Sequence, residues 1–124
     1  KAKKLEMRNS NINDGTISLL WTVRGEFNLT SINIGENFSF ITDKSIEHLC
    51  QCMNLHSLKS LNLSDDSITD DGINKLSTSQ VMGQLEELIL YGNSDITHKV
   101  YFILQNHNGR KTEKNRLHAT SIDD

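Results

Sequence analysis

The chain has 124 residues, a net charge of -3 and a hydrophobic fraction of 35%, which is enough for one small domain with a single core. Its 13 basic and 16 acidic residues lack the basic excess expected of a nucleic-acid-binding surface or of a polybasic membrane-binding cluster. The longest apolar run, residues 100–104, is far shorter than the roughly 20 residues of a membrane-spanning helix. We therefore expect neither nucleic acid nor a membrane as partner.

Two cysteines bear on the cellular compartment. Cys50 and Cys52 are one residue apart, and side chains at that spacing diverge in regular structure, so no disulfide is expected between them. Two free thiols favour a reducing compartment, and we expect a cytoplasmic or nuclear protein. No signal peptide is recognisable, and because the chain begins with Lys1, we interpret it as a fragment or a processed chain.

The first predicted element is a short strand at Leu5 and Met7. Side chains alternate along a strand, so these two residues share one face while their neighbours point the other way. A polar turn follows, and after it a helix with apolar residues three apart on one side. The later apolar residues assigned to this unit are Ile12 after the turn, Ile17 and Leu20 on the helix, and Trp21 and Phe27 before the next strand.

The same order of apolar positions occurs three more times. The central residues of the four predicted strands are Leu5, Ile32, Leu61 and Leu88, which lie 27, 29 and 27 positions apart. Because no copy can bury its apolar face alone, each strand, turn and helix must stack on its neighbours.

Two features define the helices of these later copies. Ile46, Leu49 and Met53 form one apolar stripe that predicts a helix in the second copy. In the third copy, Thr69 is predicted to cap a helix beginning at Asp70, because a threonine hydroxyl can accept a bond from the free N–H groups of the first turn.

A period in the twenties with an L-x-x-L-x-L core is the leucine-rich-repeat signature. The pattern resembles that superfamily, in the helix-bearing forms of ribonuclease-inhibitor-like proteins and of the cysteine-containing repeats of F-box proteins. The Ile-Thr-Asp stretches at 41–46 and 68–73 resemble the second form most. The chain departs from it at Asp66, where a Cys or Asn is usual, and in the longer turn at 35–40.

This resemblance implies an α/β fold: a right-handed solenoid with a parallel sheet on the concave side and helices on the convex side. Four repeats would begin near residues 2, 29, 58 and 85 and cover residues 1–104. Residues 105–124 are interpreted as a C-terminal tail or cap, in which Leu117 and Ile122 could cover the end of the solenoid. The resemblance also implies a role in binding another protein.

The residue patterns of zinc sites, calcium loops and catalytic nucleophiles fit the sequence poorly. His48, Cys50, Cys52 and His56 have the wrong spacing for zinc, which prefers two to four residues between paired cysteines. The acidic run from Asp65 to Asp71 places Ile68 where a calcium loop needs an oxygen ligand. No glycine-flanked nucleophile is present. We expect no enzymatic activity, no metal and no cofactor.

The solvent-facing strand positions are the candidate partner-binding residues. Those predicted to carry binding are Arg8, Asn33, Asn62, Glu87, Ile89 and Tyr91. Ile89 and Tyr91 are the candidate hot spot, because interface anchors favour rigid aromatics; alternatively, they cover the last repeat or meet a further neighbour. The alternative function is a structural terminal segment of a larger solenoid, such as an F-box-type ubiquitin ligase substrate receptor or a nucleotide-binding immune-type sensor.

Overall fold

The computed structural model describes residues 3–22, 28–52 and 55–107, the side chains of 21, 22 and 105–107 excepted. Its strands form one parallel sheet with the spatial order of the chain: β1 (Lys3–Glu6), β2 (Leu29–Asn33), β3 (Ser60–Asn62) and β4 (Glu87–Ile89). The helices are α1 (Asp14–Thr22), α2 (Asp43–Gln51), α3 (Asp70–Ser77), α4 (Gln80–Gln84) and α5 (Lys99–His107), with a 3₁₀ turn at Phe38–Phe40. We number four units by their strands, β1 with α1 being the first.

The strands pair in the register that the sequence spacing predicts. Leu5 pairs with Ile32, Ile32 with Leu61, and Leu61 with Leu88. The hydrogen-bond ladder continues past the ends of the strands: the N–H of Leu63, for example, donates to Ile89 at 2.9 Å. The prediction of four parallel strands, each followed by a helix, is confirmed.

One apolar core lies between the sheet and the helices. The inward strand residues of the second, third and fourth units are buried, as are the isolated isoleucines that follow each turn and the apolar stripes of α2 and α3. Leu5, Met7 and Leu20 of the first unit are only partly buried. The predictions for Trp21, Phe27, Met53, Leu117 and Ile122 concern residues outside the described side chains.

Two features of the helices differ from the sequence expectation. The third unit has a second short helix, α4, which buries Val81 and Met82 against the core. The last helix, α5, continues to His107, past residue 104, where the sequence interpretation placed the end of the repeats. The tail beyond His107 lies outside the described residues.

A left-handed residue ends the strand region of every unit. Asn9, Glu36, Asp65 and Gly92 all have positive φ, between 51° and 83°. Asparagine and aspartate tolerate this conformation and glycine adopts it freely. At Gly92 a Cβ atom would also overlap the Asp65 carboxylate, so the fourth unit requires glycine for two independent reasons.

Buried asparagine side chains link neighbouring units below these turns. The Asn93 amide donates to the carbonyl oxygens of Leu63 and Leu90 at 2.8 Å, and its Oδ1 accepts from the N–H of Ile68 at 2.8 Å. Asn37 makes the corresponding bonds between the first and second units, to the carbonyl oxygens of Met7 and Ile34 among others. Because a buried backbone group without a partner is costly, these amides hold each turn on the preceding unit.

Candidate functional site: the outward face of the sheet

Two rows of side chains cross the solvent side of the sheet, as the alternation of the strands requires. The first row pairs Lys4 with Ser31, Ser31 with Ser60, and Ser60 with Glu87. The second row pairs Glu6, Asn33, Asn62 and Ile89 in the same way. We call these eight residues, together with Arg8, Gly35, Ser64 and Tyr91, the outward face.

A third row, formed by Arg8, Gly35, Ser64 and Tyr91, lies just beyond the strand ends. The backbone hydrogen bonds that continue past the strands hold it in place. The N–H groups of Asn9, Glu36 and Asp65 donate to the carbonyl oxygens of Gly35, Ser64 and Tyr91 at 3.0, 2.7 and 2.8 Å. The structure therefore brings Arg8, Gly35, Ser64 and Tyr91 to adjacent positions.

The middle of the third row, Gly35 and Ser64, is buried, although the alternation of side chains places both residues on the solvent side of the sheet. The Asn62 Oδ1 accepts from both the N–H and the hydroxyl of Ser64, at 2.9 and 2.7 Å. A Cβ atom at Gly35 would lie 2.7 Å from the Ser64 hydroxyl. Asn33 and Asn62 of the second row thus fold toward the middle of the third row, where Gly35 and Ser64 are buried.

The fourth-unit end of the outward face carries an exposed aromatic side chain. Tyr91 is 41% exposed, Glu87 is exposed and Ile89 is partly buried. The Ser60 hydroxyl donates to the Glu87 carboxylate at 2.9 Å, which orients that charge. Of the predicted pair, Tyr91 is therefore exposed, whereas Ile89 exposes only part of its side chain.

The first-unit end carries the basic residues. Lys4 and Arg8 are exposed, and the Arg8 guanidinium lies 3.4 Å from Glu36 in an exposed ion pair of a kind that contributes little to stability. Asn33 lies between the two ends, partly buried, and accepts a bond from the N–H of Gly35 at 3.0 Å. The outward face thus changes from basic to acidic along the sheet.

Two exposed aromatics were missed by the sequence interpretation. Phe38 and Phe40, in the 3₁₀ turn, are 58% and 52% exposed, and Phe38 has a φ of +51°, unusual for a bulky residue. The turn from Asn37 to Ile41 is two residues longer than the turn from Asp66 to Ile68. That extra length was the available signal, because an inserted turn projects its side chains from the surface.

The candidate metal-binding residues do not assemble. Within residues 3–22, 28–52 and 55–107, no three His, Cys, Asp or Glu side chains form a group that could hold a metal ion. Burial raises the pKa of the Cys50 thiol, which disfavours the thiolate that metals bind. Cys52 and His56 instead line a shallow depression with Val81 and Gln84.

No family model matches the chain, and no curated protein matches its sequence significantly. None of the helices in the described part of the chain has the length and hydrophobicity that a membrane span requires.

Proposed function

We propose that this chain is a leucine-rich-repeat solenoid segment that binds another protein through the outward face of its sheet, which would be the concave side. The observation that carries the proposal is the in-register parallel sheet, in which Leu5, Ile32, Leu61 and Leu88 occupy one row. Stacked strand-and-helix units with such a period present a continuous surface suited to a partner.

The geometry of the outward face supports a polar interface with one aromatic anchor. Tyr91 offers a rigid, amphipathic ring with little conformational entropy to lose. Glu87 and Asn62 would select partners by charge and hydrogen bonding. Arg8 and Lys4, at the other end, would mainly accelerate association, and their effect would weaken with salt.

A pair of tyrosines provides a matched test. Tyr91, on the outward face, is 41% exposed, and Tyr101, on α5, is 44% exposed. Partners captured by the native chain should be lost by Tyr91→Ala and retained by Tyr101→Ala, with both variants folded by circular dichroism. Retention by Tyr91→Ala together with loss by Tyr101→Ala would move the interface to the helices and contradict the proposal.

Charge variants test the orientation of the interface. Lys4→Glu with Arg8→Glu should slow association at low salt and converge with the native rate at high salt. If these reversals abolish binding at every salt concentration while Tyr91→Ala keeps it, the anchor lies at the first-unit end. Surface plasmon resonance with a captured partner would separate the two rates.

A second candidate function is favoured by the first unit. Leu5 and Met7 are only partly buried, whereas Ile32, Ile34, Leu61 and Leu63 are fully buried. The edge of β1 is therefore suited to stacking against a further unit, as in the terminal segment of a larger solenoid of an F-box-type substrate receptor or a nucleotide-binding immune-type sensor.

The state of the chain in solution discriminates between these functions. A binding module that folds alone should be monomeric in sedimentation and unfold cooperatively in urea. A segment that needs a neighbour should self-associate or lack a cooperative transition. The native chain at several concentrations suffices for this measurement.

A further inference from the structure

The buried side chain of Asp66 stands where the second and fourth units have asparagine. It follows β3 as Asn37 follows β2 and Asn93 follows β4. Its Oδ1 accepts from the N–H of Asn37 at 2.9 Å, just as the Oδ1 of Asn37 accepts from the N–H of Ser10 at 3.0 Å. The residue is only 5% exposed.

The second oxygen of this carboxyl has no partner. Asp66 Oδ2 is buried and accepts no hydrogen bond. In Asn37 and Asn93 the corresponding atom is the amide nitrogen, which donates to backbone carbonyl oxygens of its own unit and of the preceding one. By this equivalence, Oδ2 of Asp66 belongs opposite the carbonyl oxygens of Leu63 and Ile34, where an ionised oxygen would be repelled and a protonated one could donate.

We infer that Asp66 is protonated in the folded protein at neutral pH, and that its ionisation weakens the junction between the second and third units. The proton replaces one N–H of the asparagine amide, so the acid mimics the amide only while it is neutral. An ionised Asp66 would be a buried carboxylate with one oxygen unpaired, which is far less favourable than a neutral acid.

The electrostatic surroundings agree with this geometry. Burial raises the pKa of Asp66 from 3.8 to about 8, the N–H of Asn37 opposes the rise, and the carboxylates of Asp65 and Asp14 add to it. Asp65 neighbours it in the turn, and Asp14 begins α1. Both of these charged groups are acidic, so they favour the neutral form.

The sign of the effect on stability follows from linkage. The folded-state pKa is raised, so the unfolded chain releases this proton at a lower pH than the folded chain does. Asp66 therefore has no effect on folding below pH about 4 and destabilises the fold progressively up to pH about 8, where its effect levels off. One proton corresponds to at most a tenfold loss in the folding equilibrium constant for each pH unit.

Two variants and one titration test the inference. Asp66→Asn should fold more favourably than the native chain, and the ratio of their folding constants in urea should rise by up to tenfold per pH unit between pH 5 and 7. Asp95→Asn removes the same charge from an exposed turn. The ratio of its folding constant to that of the native chain should change less than twofold over the same pH range. Asn93→Asp should introduce the same pH dependence at the equivalent site of the fourth unit.

The ¹³C chemical shift of the Asp66 carboxyl, followed from pH 4 to 9.5 in the native chain, reads the proton directly and does not require a variant to fold. A midpoint near 8 is expected. A midpoint near 4, or a ratio for Asp66→Asn that is flat with pH, would overturn the inference.

Discussion

Asp43, the first residue of α2, binds the residue that caps the next helix. Its Oδ1 accepts from the N–H of Thr69 at 2.9 Å and its Oδ2 from the Thr69 hydroxyl at 2.6 Å, while that hydroxyl accepts from the N–H of Asp71 at 3.1 Å. Asp14 binds Thr42 in the same way, and Asp70 binds Thr97. The starts of α1, α2, α3 and α5 are thus joined in succession, each to the next by a carboxylate and a threonine.

Thr69→Val should destabilise the fold by about 1–2 kcal/mol. Valine keeps the shape of threonine but loses the helix cap and one charge-assisted hydrogen bond to Asp43. Thr78→Val is the control, because the Thr78 hydroxyl only donates to Lys75 from an exposed position. Urea unfolding of both variants measures the difference, and equal losses would mean that the link through Asp43 adds nothing.

Gly72→Ala should destabilise the protein although it lies in a helix, where alanine is normally preferred. A Cβ atom at Gly72 would overlap the Asp43 carboxylate, so the expected cost is about 1–3 kcal/mol from overpacking and a displaced carboxylate. Gly83→Ala in α4 is the matched control, since its Cβ would meet nothing within 4 Å.

That control should stabilise the fold by about 0.5–1 kcal/mol, the usual gain from replacing a helical glycine. Thermal melts of the two variants should therefore shift in opposite directions. Stabilisation by both substitutions would show that the Asp43 carboxylate can move without cost.

Leu61→Ala and Asn62→Ala test the strand register. Leu61 is fully buried, so its truncation should cost about 2–5 kcal/mol. Asn62 faces away from the core but accepts two bonds from Ser64, so its truncation should cost about 1 kcal/mol. Denaturant unfolding measures both, and a larger loss at Asn62 than at Leu61 would contradict the register.

Removal of divalent metal ions should leave the fold unchanged. In the part of the chain that the structure describes, no group of three potential ligands converges on one point. Circular dichroism melts with and without a chelator should superimpose. Stoichiometric zinc or calcium remaining after chelation and dialysis, found by elemental analysis, would contradict this prediction.

Local patterns in the sequence were sufficient for the sheet, the core face and the start of α3. Alternation placed Ile32, Leu61 and Leu88 inward, and the period placed them in one row. Thr69 was recognisable as a cap. These features depend on residues within one turn or one strand, where the periodicity of the backbone determines which side chains share a face.

Contacts between units decided the rest, because they join residues 25 to 31 positions apart. The burial of Ser64 depends on the neighbouring units of the stack. The exposure of Phe38 depends on the turn of the next unit, where the carbonyl oxygen of Asp65 accepts a bond from the N–H of Phe38. The unpaired oxygen of Asp66 is likewise invisible in a linear pattern, where aspartate in a turn is ordinarily a solvated residue. Only the stacking of the units removes that carboxyl from water, because it places the turn against Asn37 of the preceding unit.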